Sequence, residues 1–176
     1  MDFPQADVYL RLITVEDAAF LRELMNTQKW LTYIGDRKVR TLADAEAYIQ
    51  QKMHPDIQRK GFVNHLIIKR STHEPIGTCS LHDREGVEGM DIGYALLPEY
   101  EGNGYATFGA CSMVDLAIHE YNQQRISAIT TEQNTGSCRL LEKIGFQFQR
   151  YFKFPGSKEK IKLYVLKTNG WKGCYQ

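Results

Sequence analysis

M-D-I-G-Y-A-L-L-P-E-Y-E-G-N-G-Y-A-T, residues Met90 to Thr107, runs from a strand through a glycine turn into a helix. Gly89 to Leu97 has the apolar, aromatic character of a strand, and Pro98 closes it. From Tyr105 to Tyr121 the apolar residues Ala106, Ala110, Met113, Val114, Ala117, Ile118 and Tyr121 recur at helical spacing. Between the two, Gly102 and Gly104 allow positive φ and close approach of the backbone. Backbone N–H groups in such a turn, backed by a helix N-terminus, suit a phosphate or pyrophosphate. The turn lacks the Lys of a Walker loop. It also has Thr107 where a dinucleotide fingerprint needs Gly or Ala. A plain glycine turn at a helix start reads equally well at this point.

Outward from that stretch, the chain alternates strands and helices. Val8–Ile13, Asn64–Lys69 and Ile76–His82 read as strands preceding it, and Ile126–Thr131, Phe146–Tyr151 and Ile161–Lys167 as strands following it. Thr14-x-x-Asp17 and Thr41-x-x-Asp44 announce two helices as capping boxes. The first keeps Ala18, Leu21 and Met25 on one face; the second keeps Leu42, Ala45, Ile49 and Met53. The segment around Trp30 to Arg40 reads as a loop or a distorted helix. A further strand-to-helix joint lies at E-Q-N-T-G-S-C-R-L-L-E-K-I-G-F, Glu132 to Phe146, where Ser137 to Ile144 reads as a short helix. Asn134 or Thr135 suits its N-cap, and Gly145 its stop. The order β-α-α-β-β-β-α-β-α-β-β, without repeat or linker, predicts one mixed α/β domain over residues 1–176, with a core at about 8–167 and a tail at 168–176.

Composition narrows the function classes. The chain has 176 residues, 43% hydrophobic and 24% charged, enough for one domain with a real core. Lys plus Arg is 22 against 21 for Asp plus Glu, a net charge of +1 that argues against a dedicated nucleic-acid binder. No apolar run approaches the ~18 residues of a membrane helix. The opening M-D-F-P-Q-A-D-V-Y-L has no basic residue and no apolar h-region, so the expected location is cytoplasmic. Cys79, Cys111, Cys138 and Cys174 form no C-x-x-C pair and are expected to be reduced, structural thiols. The five histidines show no metal-ligand spacing, so no metal is expected.

The two strand-to-helix segments together resemble the GNAT superfamily of acyl-CoA-dependent N-acetyltransferases, over about residues 8 to 167. The superfamily signature Gln/Arg-x-x-Gly-x-Gly/Ala falls on Glu101-Gly102-Asn103-Gly104-Tyr105-Ala106. The run I-G-Y-A-L-L-P-E-Y-E-G-N-G-Y-A-T, the later N-x-x-S-x-x-L-L-E-K-x-G-F, the opening L-R-L-I-T-V-E-D-A and the T-L-A-D-A-E-A-Y-I helix look like the branch that acetylates ribosomal-protein N-termini. The resemblance implies a central, mostly antiparallel twisted sheet of about seven strands flanked by about four helices. It implies acetyl-CoA as co-substrate. Backbone groups of Ala95, Leu96 and Leu97 would pair with the pantetheine arm; Gly102, Asn103, Gly104, Tyr105, Ala106 and Thr107 would hold the pyrophosphate. Asn134 would hydrogen-bond the pantetheine, and Ser137 would lie near the thioester sulfur. Glu101 departs from the Gln or Arg of the signature, and a carboxylate there repels a pyrophosphate unless it points away or pairs with a cation.

Acetyl transfer to an amine needs a neutral amine, so a base must take its proton. Strand alternation puts Asp91 on one face with Gly93 and Ala95, whose small side chains leave room for a ligand. Asp91 is therefore the expected base, through water, with a carboxylate that only orients the amine or simply faces solvent as the rival reading. Many superfamily members place a Tyr four residues after the Ser137 position; Leu141 stands there, which leaves Ser137 as the expected acid for the thiolate, if one acts at all. Trp30, Tyr33, Phe152 and Phe154 are the aromatics expected near an acceptor pocket. The acceptor is expected to be a small-molecule amine or a peptide N-terminus, with no nucleic acid and no membrane, and a homodimer fits by analogy. A catalytically silent acyl-CoA-binding module is the alternative; a nucleotide-binding protein follows only if the glycine turn is misread.

Overall fold

The computed structural model describes residues 7–55, 64–84, 86–153 and 160–173. In chain order these form β1 (Val8–Leu12), α1 (Ala18–Met25), α2 (Gln28–Tyr33), α3 (Leu42–Tyr48), β2 (Asn64–Lys69), β3 (Pro75–His82), β4 (Met90–Leu96), α4 (Tyr105–His119), β5 (Arg125–Thr131), α5 (Thr135–Lys143), β6 (Gln147–Phe152) and β7 (Ile161–Lys167). The strands make one seven-stranded sheet in the order β1-β2-β3-β4-β5-β7-β6. The β1–β2, β2–β3, β5–β7 and β6–β7 pairs are antiparallel, whereas β4 and β5 run parallel. The parallel pair requires a crossover, which α4 supplies.

The helix starts follow from the two capping boxes. Asp17 takes the Thr14 N–H on Oδ2 at 2.7 Å, and a 3-10 turn, Val15–Asp17, leads into α1. Asp44 takes the Thr41 N–H at 2.8 Å while its own N–H returns to Thr41 Oγ1 at 3.1 Å. Five helices stand among the described residues, one more than expected. The additional one is α2, inside the segment read as a loop or distorted helix: Thr27 caps it by accepting the Trp30 N–H at 3.4 Å. The stripe of α3 is corrected at Leu42, which is 46% exposed, while Ala45, Ile49 and Met53 are buried. Leu42 is the first helical residue, and the helix widens into a π-turn over Ile49–Met53 that keeps the later apolar residues inward.

The chain folds as two compact units, Met1–Ser80 with Tyr94–Gly109, and Leu81–Gly93 with Ala110–Gln176. In the first, Leu21 and Leu24 of α1, Ala45 of α3 and Leu66 and Ile68 of β2 belong to one apolar cluster. In the second, Val87 joins Ile161, Leu163 and Val165 of β7. Runs such as Leu66–Ile68 and Leu163–Leu166 are buried without alternation, as expected of strands covered on both faces. Cys79 and Cys138 are buried free thiols. Cys111 is disulfide-bonded, which corrects the expectation of four reduced thiols: a compartment argument does not see which sulfurs a fold brings together.

Candidate active site

The first unit holds the end of β4, the glycine turn and the start of α4. Gly77 of β3 lets β4 come close: a Cβ there would lie 2.4 Å from Leu96 Cδ2 and 2.5 Å from the Ala95 carbonyl oxygen. The Leu97 N–H donates to the Ile76 carbonyl at 3.0 Å, so Ala95, Leu96 and Leu97 are anchored along β3. After the 3-10 turn Pro98–Tyr100 the chain enters the glycine turn with φ +78° at Gly102 and +82° at Gly104. The Asn103 side-chain amide braces that turn, donating to the carbonyls of Glu101 at 3.1 Å and Tyr100 at 3.4 Å. Gly104 accepts from the Phe108 N–H at 3.0 Å, which begins α4. The N–H groups of Tyr105, Ala106 and Thr107 therefore have no acceptor within the helix.

Around that turn the side chains are tied back. The Tyr105 hydroxyl donates to Asp7 Oδ2 at 3.0 Å, and its ring is buried. Thr107 is buried and Ala106 half-buried. Nothing lies within 4 Å of where a Gly102 Cβ would be, so open space adjoins the turn. Helix-end N–H groups, two glycines at positive φ and open space fit a diphosphate. Glu101, the departure from the signature, is paired with Lys29 of α2.

Asp91, Asn134 and Ser137 belong to the second unit. Asp91 is wholly buried on β4, in the β4–β5 ladder Met90↔Ile126, Asp91↔Ser127 and Ile92↔Ala128. Its Oδ2 is ion-paired with Arg84 Nε, and its Oδ1 has no hydrogen-bond partner. Burial pushes its carboxyl up to about 6, although the charge and hydrogen bond of Arg84 and the Ile129 N–H pull the other way. A backbone approach fixes the entry to this strand. Gly89, at φ +75°, lies where a Cβ would meet the Arg125 carbonyl at 2.8 Å. Ser127 Oγ donates to the Glu88 carbonyl at 2.7 Å.

Asn134 is the N-cap of α5, its Oδ1 accepting the Ser137 N–H at 3.2 Å. The side-chain amide nitrogen is not used by that cap. Cys138 is buried, its thiol 3.9 Å from the Thr131 carbonyl, and Leu141, four residues after Ser137, is buried as well. Trp30 is buried in the core of the first unit, with its indole Nε1 lacking a partner, and Tyr33 is half-buried. The Phe152 side chain and Phe154 lie outside the described residues.

Three residues escaped sequence reading. Arg84, seven positions before Asp91, gives no local signal because a loop brings it back. Lys29 lies far from Glu101 in sequence, and only the fold pairs them. Gly77 could have been found, since an isolated Gly in a strand marks close backbone approach. Among the described residues no group of three or more His, Cys, Asp or Glu is placed to hold a metal, and no helix is long and apolar enough to cross a membrane.

Residues 7–147 match the family profile described as Acetyltransferase (GNAT) domain. The chain is 30% identical over 140 residues to the "Uncharacterized N-acetyltransferase p20" of Bacillus licheniformis, covering 78% of each chain. A ribosomal-protein-S5-alanine acetyltransferase from Vibrio fischeri superposes with a TM-score of 0.76 at 21% identity, over 94% of this chain and 96% of that one. A spermidine N-acetyltransferase from Vibrio cholerae, solved with CoA and spermine, gives 0.77 at 16% identity, over 95% and 99%.

Proposed function

The chain belongs to the GNAT acetyltransferase family, and from that premise we propose that it moves an acetyl group from acetyl-CoA to a primary amine, on a protein N-terminus or a small molecule, by direct attack in a ternary complex. The observation that carries this reading is the glycine turn, with positive φ at Gly102 and Gly104 ahead of the first N–H groups of α4, which have no acceptor within the helix. Bound acetyl-CoA supplies an activated acetyl thioester.

The remaining work falls to the chain. The backbone of Ala95, Leu96 and Leu97 holds the pantetheine arm as an added strand. Gly102, Asn103, Gly104, Tyr105, Ala106 and Thr107 hold the diphosphate through main-chain N–H groups, with Asn103 bracing the turn. Asn134, with its Oδ1 engaged in the α5 cap, offers its amide nitrogen to the pantetheine. Asp91 accepts the amine proton through water. A carboxyl raised to about 6 by burial is still mostly ionised at neutral pH and is more basic than an ordinary carboxylate, which suits a base. Ser137 donates to the departing thiolate.

The test is thiol release from acetyl-CoA, followed with a thiol reagent across N-terminal peptides, polyamines, amino sugars and small metabolite amines. Turnover with one of these classes is expected. CoA binding without turnover on any of them would replace the enzyme by a silent acyl-CoA-binding module.

A further inference from the structure

Between Arg84 and His119 the sequence holds no Lys, Arg or His, but it holds Glu85, Glu88, Asp91, Glu99, Glu101 and Asp115. The glycine turn lies inside that stretch. A diphosphate held there meets backbone N–H groups but no cation belonging to the turn. It also meets Glu101, the residue immediately before Gly102, whose negative charge opposes it.

The fold answers from elsewhere. Lys29 Nζ is ion-paired with Glu101 Oε2, across a sequence separation of 72 residues. Lys29 lies in the first turn of α2, between the cap at Thr27 and Trp30, which is 8% exposed in the core of the same unit. The helix is thus anchored on one side and presents its lysine on the other. The pair is a surface one, with the Lys29 side chain 60% and the Glu101 side chain 32% exposed. Such pairs add little to folding, so holding Glu101 is worth more to a bound anion than to stability.

We infer that Lys29 is a positioning residue for the diphosphate of the acyl donor: by neutralising Glu101 it turns an anionic turn into one that accepts an anion. The inference rests on the reading of the glycine turn as the acetyl-CoA site. It adds that affinity for the donor is set from α2, outside the signature. A rival cation in the same unit is Lys69, 4.0 Å from Asp7, the carboxylate that takes the Tyr105 hydroxyl.

Calorimetric dissociation constants for CoA, and for S-acetyl-pantetheine, which lacks the diphosphate, test this directly. Lys29→Met should weaken CoA roughly five- to tenfold, and the loss should shrink as salt rises from about 0.05 to 0.5 M. It should leave S-acetyl-pantetheine unchanged. Lys29→Arg should bind CoA within about twofold of wild type, since it keeps the charge. In the Glu101→Gln background, Lys29→Met should have almost no effect, because the charge it offsets is gone. In turnover, KM for acetyl-CoA should rise while kcat holds. Unchanged CoA binding in Lys29→Met, equal weakening of both ligands, or no rescue by Glu101→Gln each overturns the inference. So does a loss on Lys69→Met alone. Wild-type protein that binds no CoA overturns the donor reading itself, a failure distinct from the others.

Discussion

Asp91 is the candidate base of the second unit. Its carboxyl is wholly buried, paired on one oxygen with Arg84 and unpaired on the other, with a pKa pushed up to about 6 by burial against the pull of Arg84. If it is the base, kcat/KM should fall as pH drops through about 6, where the carboxylate takes a proton. Asp91→Asn should cost about 10²–10⁴ in kcat/KM and abolish that acid limb. An unchanged rate and pH profile would reduce Asp91 to a structural partner of Arg84. Stability carries an independent signature of the same group. The folded carboxyl titrates near 6 and the unfolded one near 3.8, so between those values the folded state holds a proton that the unfolded state has lost. Its contribution therefore falls as pH rises through that window, and Asp91→Asn should flatten that slope in urea titrations run at pH 4 to 6. Ser137 makes a weaker claim. A positioned acid contributes typically ~10²–10⁴, so a loss below roughly tenfold in kcat for Ser137→Ala would mean the thiolate leaves without it.

At the scale of elements, β3 and β4 meet through a glycine. A methyl group at position 77 would lie 2.4 Å from Leu96 Cδ2 and 2.5 Å from the Ala95 carbonyl oxygen, and the carbonyl belongs to backbone that cannot turn aside. Gly77→Ala should cost about 1–3 kcal/mol by overpacking and displace the Ala95–Leu97 segment. Thermal unfolding would show a lowered Tm, and CoA affinity should fall with it; wild-type values for both would mean the strands separate freely. The elements themselves were largely legible in the sequence. β2 and β7 have the expected bounds, because turn residues and apolar runs mark both ends. The helix α2 was not legible: it is six residues long, too short for an apolar stripe to register, and its hold comes from the Thr27 cap and the burial of Trp30. Leu42 was misread for a related reason, since periodicity assigns a face but not whether anything covers the first turn. The candidate site divides in the same way. Gly102, Gly104, Asn134 and Ser137 stand in contiguous motifs and could be read locally. The pairings Lys29–Glu101 and Arg84–Asp91 depend on chain reversals that no spacing rule encodes.

Whole-molecule stability offers a test of the donor that needs no acceptor and no catalysis. A ligand that binds only the folded chain, at about 100 times its Kd, adds about 2.7 kcal/mol. For a chain of 176 residues that corresponds to a rise in Tm of roughly 5–11 °C, at ~2–4 °C per kcal/mol. The turn described above offers N–H groups to a diphosphate, and CoA, ATP and NADH all carry phosphates. What would separate them is the arm: only CoA and acetyl-CoA bring a pantetheine, whose amide groups would pair along Ala95–Leu97 in the proposed site. Thermal melts in the four ligands should therefore show large shifts with acetyl-CoA and CoA and small ones with ATP and NADH. A shift with all four would locate recognition in the diphosphate alone and remove the role given to the end of β4. Shifts with ATP or NADH and none with CoA would return the glycine turn to the nucleotide-binding reading. No shift with any ligand, in protein that melts cooperatively, would mean that pairing with Lys29 leaves Glu101 repulsive enough to close the turn to anions, and the acetyl-donor reading would end there.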